Sequence, residues 1–222
     1  MDVSAQLLER TLVYRMWMAP QAEQKFAPIR AHNDLTQPRR VLDVGCGPGT
    51  NTRYFKDTSY LGLDINERYV EDARRRFGRE FRAVDVTRYK VEDAERYDFI
   101  LVNSFLHHLA TPDVRRILAH LNTLLSNDGH VHILDLVMPN KRSVARALAR
   151  WDRGGFARSS EVWRELFGEA FEPVVFEHYG VGALGITCWN MVYFKGRARR
   201  ESAERASAAS AQTSRGCRAR LR

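Results

Sequence analysis

Two apolar runs, each with an aspartate near its end, flank a glycine-rich turn, and this arrangement restricts the fold of the chain more than any other feature. The first run is VLDV, residues 41–44, and the turn GCGPGT, residues 45–50, follows it. The second run begins at Tyr60 and ends at Asp64. Short apolar runs bounded by glycine are typical of buried strands, and glycine lets a loop adopt positive φ beside a ligand. The stretch therefore predicts a strand, a tight loop, a helix and a second strand with an acid at its tip.

The spacing of the glycines distinguishes between two kinds of adenosine-bearing cofactor. A dinucleotide-binding turn has the pattern G-x-G-x-x-G, which brings the backbone to a pyrophosphate at a helix N-terminus. Here Thr50 stands where the third glycine of that pattern would be, because the glycines occur at every second position. They are Gly45, Gly47 and Gly49. The pattern [Asp/Glu]-x-G-x-G-x-G, which begins at Asp43, resembles motif I of the class I S-adenosylmethionine-dependent methyltransferases.

Three further segments extend this resemblance in the order that the family has them. FRAVDV ends at Val86, YDFILVN ends at Asn103, and DGHVHILDL, which follows a predicted helix, ends at Leu136. A glycine-rich turn alone is a weak signal, but five elements in the right order at suitable spacing are a specific one.

The resemblance implies S-adenosylmethionine as the cofactor, and it assigns the residues that bind it. Asp64 is expected to accept hydrogen bonds from both ribose hydroxyls, with Ile65 beside it. Asp85 is expected to bond the adenine amino group, and the amide of Val86 an adenine ring nitrogen. The other implied cofactor-binding residues lie in the glycine loop and after the fourth strand: Asp43, Gly45, Cys46, Gly47, Gly49 and Asn103.

The order of predicted elements indicates the fold class. Strands near residues 41–44, 60–64, 81–84, 98–102 and 129–136 alternate with helices near 50–56, 66–77 and 112–125, which favours parallel crossovers. Two more strands, Val174–His178 and Cys188–Lys195, are joined by GVGALG. The fold expected from the family is α/β: a Rossmann-like seven-stranded methyltransferase sheet with helices on both faces and a C-terminal antiparallel hairpin.

Composition divides the chain into three parts. Residues 1–40 are predicted to form a helical lid, with helices at Ala5–Met18 and Gln21–Ala31. Residues 41–196 are predicted to form the cofactor-binding domain. Residues 197–222 are predicted to form a basic, disordered tail that is rich in arginine, alanine and serine. The net charge is +8, but the tail holds eight arginines and two glutamates, which leaves only +2 on residues 1–196. A core this close to neutral argues against a nucleic-acid partner.

Other classes of protein are disfavoured by what the sequence lacks. No apolar stretch approaches the ~20 residues of a membrane span, and the N-terminus has no apolar secretory segment. The three cysteines are far apart in the sequence, in a pattern typical of neither a zinc site nor a disulfide framework. A cytoplasmic location is therefore expected.

The loop after the fourth strand, Asn103–His108, is predicted to face the reacting methyl group, because ligands bind beyond the carboxyl ends of parallel strands. Methyl transfer needs alignment more than a catalytic group, but a hydroxyl acceptor benefits from a general base. His107 and His108 are the candidates, and each has a purely structural role as its alternative. His130 and His132 share a strand face, where core packing is favoured over metal binding. Aromatic or basic residues outside these motifs are candidates to line an acceptor pocket: Tyr14, Trp17, Lys25, Trp151, Arg153, Phe156, Trp189 and Tyr193.

The acceptor itself is predicted to be a small molecule. LHHL, residues 106–109, resembles the type 11 branch of the family, similar to the methyltransferases of ubiquinone and menaquinone biosynthesis. An RNA or protein methyltransferase is the alternative, but Asn103 is followed by no prolines of the kind found in base-methylating enzymes, and no cysteine lies nearby. A non-catalytic regulator that binds S-adenosylmethionine is a further alternative.

Overall fold

Seven strands form a single mixed sheet in the computed structural model, which describes residues 22–151, 155–183 and 185–199. The strand order is β3-β2-β1-β4-β5-β7-β6; the first five strands are parallel, and β7 runs antiparallel to both β5 and β6. The strands are β1 Arg40–Val44, β2 Ser59–Asp64, β3 Glu80–Ala83, β4 Tyr97–Asn103, β5 Leu125–Leu136, β6 Phe171–Ala183 and β7 Ile186–Ala198. The predicted fold class, with its closing antiparallel hairpin, is confirmed.

Helices cover both faces of the sheet. They are α1 over residues 22–32, α2 Glu67–Phe77, α3 Thr111–Leu124, α4 Val144–Trp151 and α5 Ser160–Ala170. Side chains of β1 alternate between two cores: Leu42 packs with α3 and α5, whereas Val41 packs with α1 and α2. The predicted helix Ala5–Met18 lies outside the described residues. None of the helices in the described ranges is long and apolar enough to cross a membrane.

The helix α2 begins and ends at residues suited to those positions. The side chain of Asn66 accepts hydrogen bonds from the backbone N–H groups of Arg68 and Tyr69, which satisfies two amides of the first turn. The helix stops at Gly78, whose φ of 59° is in the left-handed region. The segment after the glycine loop, predicted as a helix over residues 50–56, is a short 3₁₀ helix, Thr50–Tyr54.

The C-terminal hairpin is longer than the sequence predicts. Each of its strands spans 13 residues, and β7 continues through Ala198, which pairs with Phe171. The backbone N–H of Arg199 then donates to Oδ1 of Asn122 at 2.9 Å. Residues 197–199, which composition assigned to the basic tail, are therefore joined to the sheet and to α3. Their arginine-rich sequence concealed this, because it lacks the apolar pattern by which a strand is recognised.

Candidate active site

The glycine loop connects β1 to the 3₁₀ helix at the carboxyl edge of the sheet. Its amides at Gly45 and Cys46 donate to the carbonyl oxygen of Leu63 at 2.8 and 3.0 Å, which folds the loop over the end of β2. A Cβ at Gly45 would lie 2.8 Å from the ring of Phe105. At Gly47, where φ is 53°, no heavy atom lies within 4 Å of the Cβ position. Gly47 therefore presents bare backbone to open space.

The carboxylate of Asp64 lies at the tip of β2, beside this open backbone. Its Oδ2 accepts a hydrogen bond from the Gly47 amide, and its Oδ1 accepts one from the Asn66 amide, both at 2.8 Å. A carboxylate offers about four acceptor positions, so each oxygen can accept a further hydroxyl donor. The next side chain, Ile65, is apolar yet 79% exposed. An acid and an exposed apolar surface thus lie side by side at this edge.

Asp85 and Val86 follow β3 along the same edge. The Oδ1 atom of Asp85 accepts from the amide and the hydroxyl of Thr87 at 2.9 and 2.8 Å, and these bonds hold the pKa of Asp85 below its ordinary value. They cap the short 3₁₀ helix that begins at Val86. The cap fixes the orientation of the Asp85 carboxylate two residues beyond Ala83, the residue of β3 that pairs with Asp64.

A buried hydrogen-bond chain runs beneath the glycine loop. Asp43 is fully buried; its carboxylate accepts from the Tyr60 hydroxyl at 2.6 Å and from the Asn51 amide at 3.1 Å. Burial raises the pKa of Asp43 to about 7, although these two bonds act in the opposite direction. The Asn51 oxygen in turn accepts from the Asn103 side chain at 3.0 Å. Asp43 thus supports the loop from below and links it to the end of β4.

Sequence reasoning missed Tyr60 and Asn51. Tyr60 lies in a largely buried strand and Asn51 in a short polar segment, and nothing in the sequence pairs either with Asp43. Cys46, which was expected to contact the cofactor, is 3% exposed, and burial raises the pKa of its thiol. A thiol held in this protonated form is a packing group rather than a nucleophile.

The loop after β4 brings His107 to a buried carboxylate. Its Nδ1 lies 2.6 Å from Oδ1 of Asp135, and both residues are buried. Asp135 also accepts hydrogen bonds from the amides of Leu106 and Leu136, at 2.9 and 2.7 Å. His108 is exposed, and its ring centroid lies 4.2 Å from that of His107. The sequence signal for Asp135 was an acid at the carboxyl end of an apolar strand, the same signal that identified Asp64.

Arg158 joins the segment after β5 to this histidine loop. Its guanidinium donates to the carbonyl oxygens of Leu106 and Leu109, at 3.3 and 2.6 Å, and its own carbonyl accepts from the Met138 amide at 2.8 Å. The amide of Phe156 donates to the His107 carbonyl at 3.1 Å. The described residues between Val137 and Arg158 are therefore fixed at both ends beside the histidines.

The remaining candidates are distributed between core and surface. His132 is buried against Phe99, with ring centroids 3.8 Å apart, and burial holds its pKa well below the ordinary value. No group of three or more metal-ligating side chains occurs among the described residues. Tyr193 is fully buried, Phe156 is exposed and Trp189 is half-buried. The side chains of Tyr14, Trp17, Trp151 and Arg153 lie outside the described part of the structure.

Comparison with known proteins identifies the domain. Residues 42–131 match a family model described as a methyltransferase domain. The chain is 29% identical over 178 residues to a trans-aconitate 2-methyltransferase of Methylobacterium radiotolerans, which covers 75% of this chain and 66% of that protein. It is 32% identical over 118 residues, 47% of its length, to lovastatin nonaketide synthase mokA of Monascus pilosus, and spans only 4% of that larger protein.

A solved structure shares the fold. The 1,6-didemethyltoxoflavin-N1-methyltransferase of Burkholderia thailandensis superposes with a TM-score of 0.62 at 23% identity, covering 88% of each chain. The strand order, the glycine loop with its neighbouring acid, and the matched domain agree with one another. Together they support a methyltransferase domain of the class I S-adenosylmethionine-dependent type over residues 42–131.

Proposed function

We propose that this protein is an enzyme that transfers the methyl group of S-adenosylmethionine to a small-molecule acceptor. The observation that carries this proposal is the open backbone of Gly47 beside the carboxylate of Asp64. Both lie next to the point where the strand order reverses, between β1 and β4, which is where open α/β sheets bind ligands. The names of the relatives, which specify trans-aconitate and didemethyltoxoflavin, support a small acceptor.

The residues at this edge fit the parts of the cofactor. Asp64 retains acceptor capacity for two ribose hydroxyls while it holds the loop. The exposed side chain of Ile65 offers an apolar surface to the adenine ring, and Asp85 with the Val86 amide would bind its polar edge. Burial of Asp43 limits that residue to an indirect role, in which it orients the loop through Asn51 and Asn103.

S-adenosylmethionine supplies a methyl group that its sulfonium centre has already activated. The protein has to align the acceptor and exclude water. His107 is suited to take a proton from an acceptor hydroxyl. The Asp135 carboxylate accepts a hydrogen bond from the His107 ring, whose Nδ1 lies 2.6 Å from Oδ1 of Asp135. This bond fixes the tautomer of His107 that carries its proton on Nδ1. The basic atom of the ring is then Nε2. His108, exposed beside it, is the second candidate for the same task.

The predicted N-terminal lid is part of this proposal. The described helix α1 packs beside the C-terminal hairpin: the Tyr179 hydroxyl donates to the Lys25 carbonyl at 2.9 Å, and the Gly182 amide donates to Oε1 of Gln24 at 3.0 Å. These contacts place residues 24 and 25 beside the part of the hairpin that extends past the carboxyl end of β5. We propose that this helix borders the acceptor pocket.

A pair of glycine substitutions tests the cofactor site. Gly47 and Gly78 both have positive φ, 53° and 59°, and both have open space at the Cβ position. Gly47→Ala and Gly78→Ala should therefore cause similar backbone strain, about 1–2 kcal/mol. Only Gly47→Ala should also weaken the binding of S-adenosylhomocysteine, measured by calorimetry. Equal affinities in the two variants, or tighter binding of NAD than of S-adenosylhomocysteine by the wild type, would contradict the proposal.

The reaction is tested by transfer of labelled methyl from S-adenosylmethionine into a fractionated cell extract. Label should enter the small-molecule fraction. Label confined to RNA or to protein would favour the corresponding alternative acceptor. Tight cofactor binding with no transfer to any fraction would favour the non-catalytic regulator.

A further inference from the structure

The segment that follows β5 is rich in cations, and its one acid before Arg158 is Asp152, which lies between the described ranges. Residues 137–151 include four basic side chains and no aspartate or glutamate: Lys141, Arg142, Arg146 and Arg150. None of these four forms an ion pair within the described ranges, whereas eight arginines elsewhere there pair with carboxylates. The positive charge of this segment is therefore not balanced by the neighbouring described side chains.

Packing places this charge at the carboxyl edge of the sheet. Ala145 and Ala149 of α4 are buried, and Ala149 packs against a cluster that contains Leu136, at the end of β5, and Val181 in the hairpin. The guanidinium of Arg146 donates to the carbonyl oxygen of Pro139, three residues beyond β5. Arg146 is half-buried, so this bond orients its charge at the edge rather than into bulk solvent. The histidine loop joins the other end of the same segment through Arg158.

The spacing of the arginines opposes helix stability. Arg146 and Arg150 are four residues apart, so they are neighbours on one face of α4, and Arg142 precedes them by another four. Like charges at this spacing destabilise a helix. An anion bound between them would turn this repulsion into attraction, and planar guanidinium groups match the geometry of carboxylate and phosphate oxygens.

A second observation in the same cluster also points to an acceptor of hydrogen bonds. Trp189 packs against the cluster that contains Ala149, and its indole Nε1 is buried with no hydrogen-bond partner among the described residues. Buried donors in folded proteins are nearly always paired. An oxyanion at the edge of this cluster would supply the missing oxygen once the indole turns toward it.

We propose that the methyl acceptor is an acidic small molecule, whose carboxylate or phosphate group is bound by Arg146 and Arg150 with the Trp189 N–H. The inference rests on the proposed function, because that function is what makes the bound acid a methyl acceptor. It adds the chemical class of that acceptor and the residues that select it. The two arginines lie on the segment after β5 and Trp189 lies on β7, so all three are separate from the residues assigned to the cofactor.

The inference is tested by calorimetry on the full-length chain loaded with S-adenosylhomocysteine. The probes are propane-1,2,3-tricarboxylate, its neutral trimethyl ester, and glycerol phosphate, which separates the carboxylate from the phosphate source. The variants are Arg146→Gln, Arg150→Gln, the double variant and Trp189→Phe. Arg75→Gln is the matched control, because it removes the same charge from an exposed position on α2.

At least one of the two acids should bind the wild type, and the ester should not. Each single arginine variant should weaken acid binding by about tenfold, the double variant by more, and the control should have no effect. Trp189→Phe should also weaken acid binding, and added salt should weaken it in the wild type. Each variant should melt cooperatively and keep its affinity for S-adenosylhomocysteine.

Three results would overturn the inference: no binding of either acid at millimolar concentration, equal binding of acid and ester, or arginine variants that match the control. Displacement of the acid by RNA at lower concentration would also overturn it, in favour of a nucleic-acid surface. A wild type that binds the acid but not S-adenosylhomocysteine would contradict the proposed function and leave the oxyanion site standing.

Discussion

At the scale of single residues, the Asp64 carboxylate has two roles. In the structure it holds the glycine loop and the start of α2 through two backbone amides. In the proposed reaction it also binds the ribose. The sequence predicted its position because a short apolar strand fixes where an acid at its end must lie. The two amide bonds were not predictable, since they depend on how the loop folds back over β2.

Asp64→Ala should weaken cofactor binding more than it weakens the fold. Losing bonds to two ribose hydroxyls is worth about 2–4 kcal/mol, at ~1–2 kcal/mol for each charge-assisted bond. Calorimetry with S-adenosylhomocysteine measures the loss, and a melting curve monitors the fold. Asp57→Ala, which removes an exposed acid, is the control. An unchanged dissociation constant in a folded Asp64→Ala variant would show that the ribose is held elsewhere.

Asp43 makes stability depend on pH in an unusual direction. Its pKa of about 7 in the folded protein lies above the value of about 3.9 in an unfolded chain. Between these values the folded state binds the extra proton, so the free energy of unfolding falls as pH rises. The stabilisation by protonated Asp43 is complete below about pH 4 and is lost as pH rises through about 7.

Asp43→Asn should remove this dependence, because an amide does not titrate. Between pH 5 and pH 8 the free energy of unfolding of the wild type should therefore fall, relative to that of Asp43→Asn, by roughly 1–3 kcal/mol. Urea denaturation at several pH values measures it. Parallel curves for the two proteins would mean that Asp43 is ionised throughout this range.

At the scale of elements, the loop after β4 shows where sequence reasoning succeeds and where it stops. The position of His107 and His108 followed from the end of an apolar strand, a local signal. The partners of that loop, Asp135 and Arg158, are 28 and 52 residues away from the atoms they bond. A single sequence contains no sign of such pairings, which only the packing of β5 and of its following segment creates.

His107→Ala should lower kcat by about 10²-fold or more, the usual scale of acid–base catalysis, with unchanged affinity for S-adenosylhomocysteine. Asp135→Asn should lower kcat in the same direction, because it removes the carboxylate that fixes the tautomer. Initial rates with the acceptor found in the transfer assay provide the measurement, and His108→Ala is the matched neighbour. Full activity of His107→Ala with loss of activity in His108→Ala would assign the base to His108.

At the scale of the whole molecule, the parallel strands and the closing hairpin were predictable, and the limits of the hairpin were not. Glycine and acid motifs mark the ends of the parallel strands, and alternation with helices fixes their direction. The outer strand β6 is largely exposed, so its sequence lacks the clear alternation of a half-buried strand. The boundary at residue 196 fell inside β7 rather than after it, because the next residue, Arg197, is charged and exposed and so gives no sign of a strand.

Two truncations test where the folded domain ends. A chain that stops after Arg199 should keep the melting temperature, since composition predicts that the rest of the basic tail buries little surface. A chain that stops after Gly196 loses the pairing of Ala198 with Phe171 and the bonds between Arg199 and Asn122. It should melt several degrees lower, at about 2–4 °C per kcal/mol for a domain of this size. Equal melting temperatures would place the end of the domain at residue 196.

The hydrogen-bond chain from Tyr60 through Asp43 and Asn51 to Asn103 crosses from the glycine loop to the loop that carries the histidines. S-adenosylmethionine and the methyl acceptor would therefore bind to two loops that the same hydrogen-bond chain holds in place. When the cofactor binds and orders this hydrogen-bond chain, it lowers the free energy needed to order the loop that carries the histidines. By linkage, binding of the acceptor strengthens binding of the cofactor by the same factor. Asn51, which would touch neither substrate, is the residue through which each would sense the other.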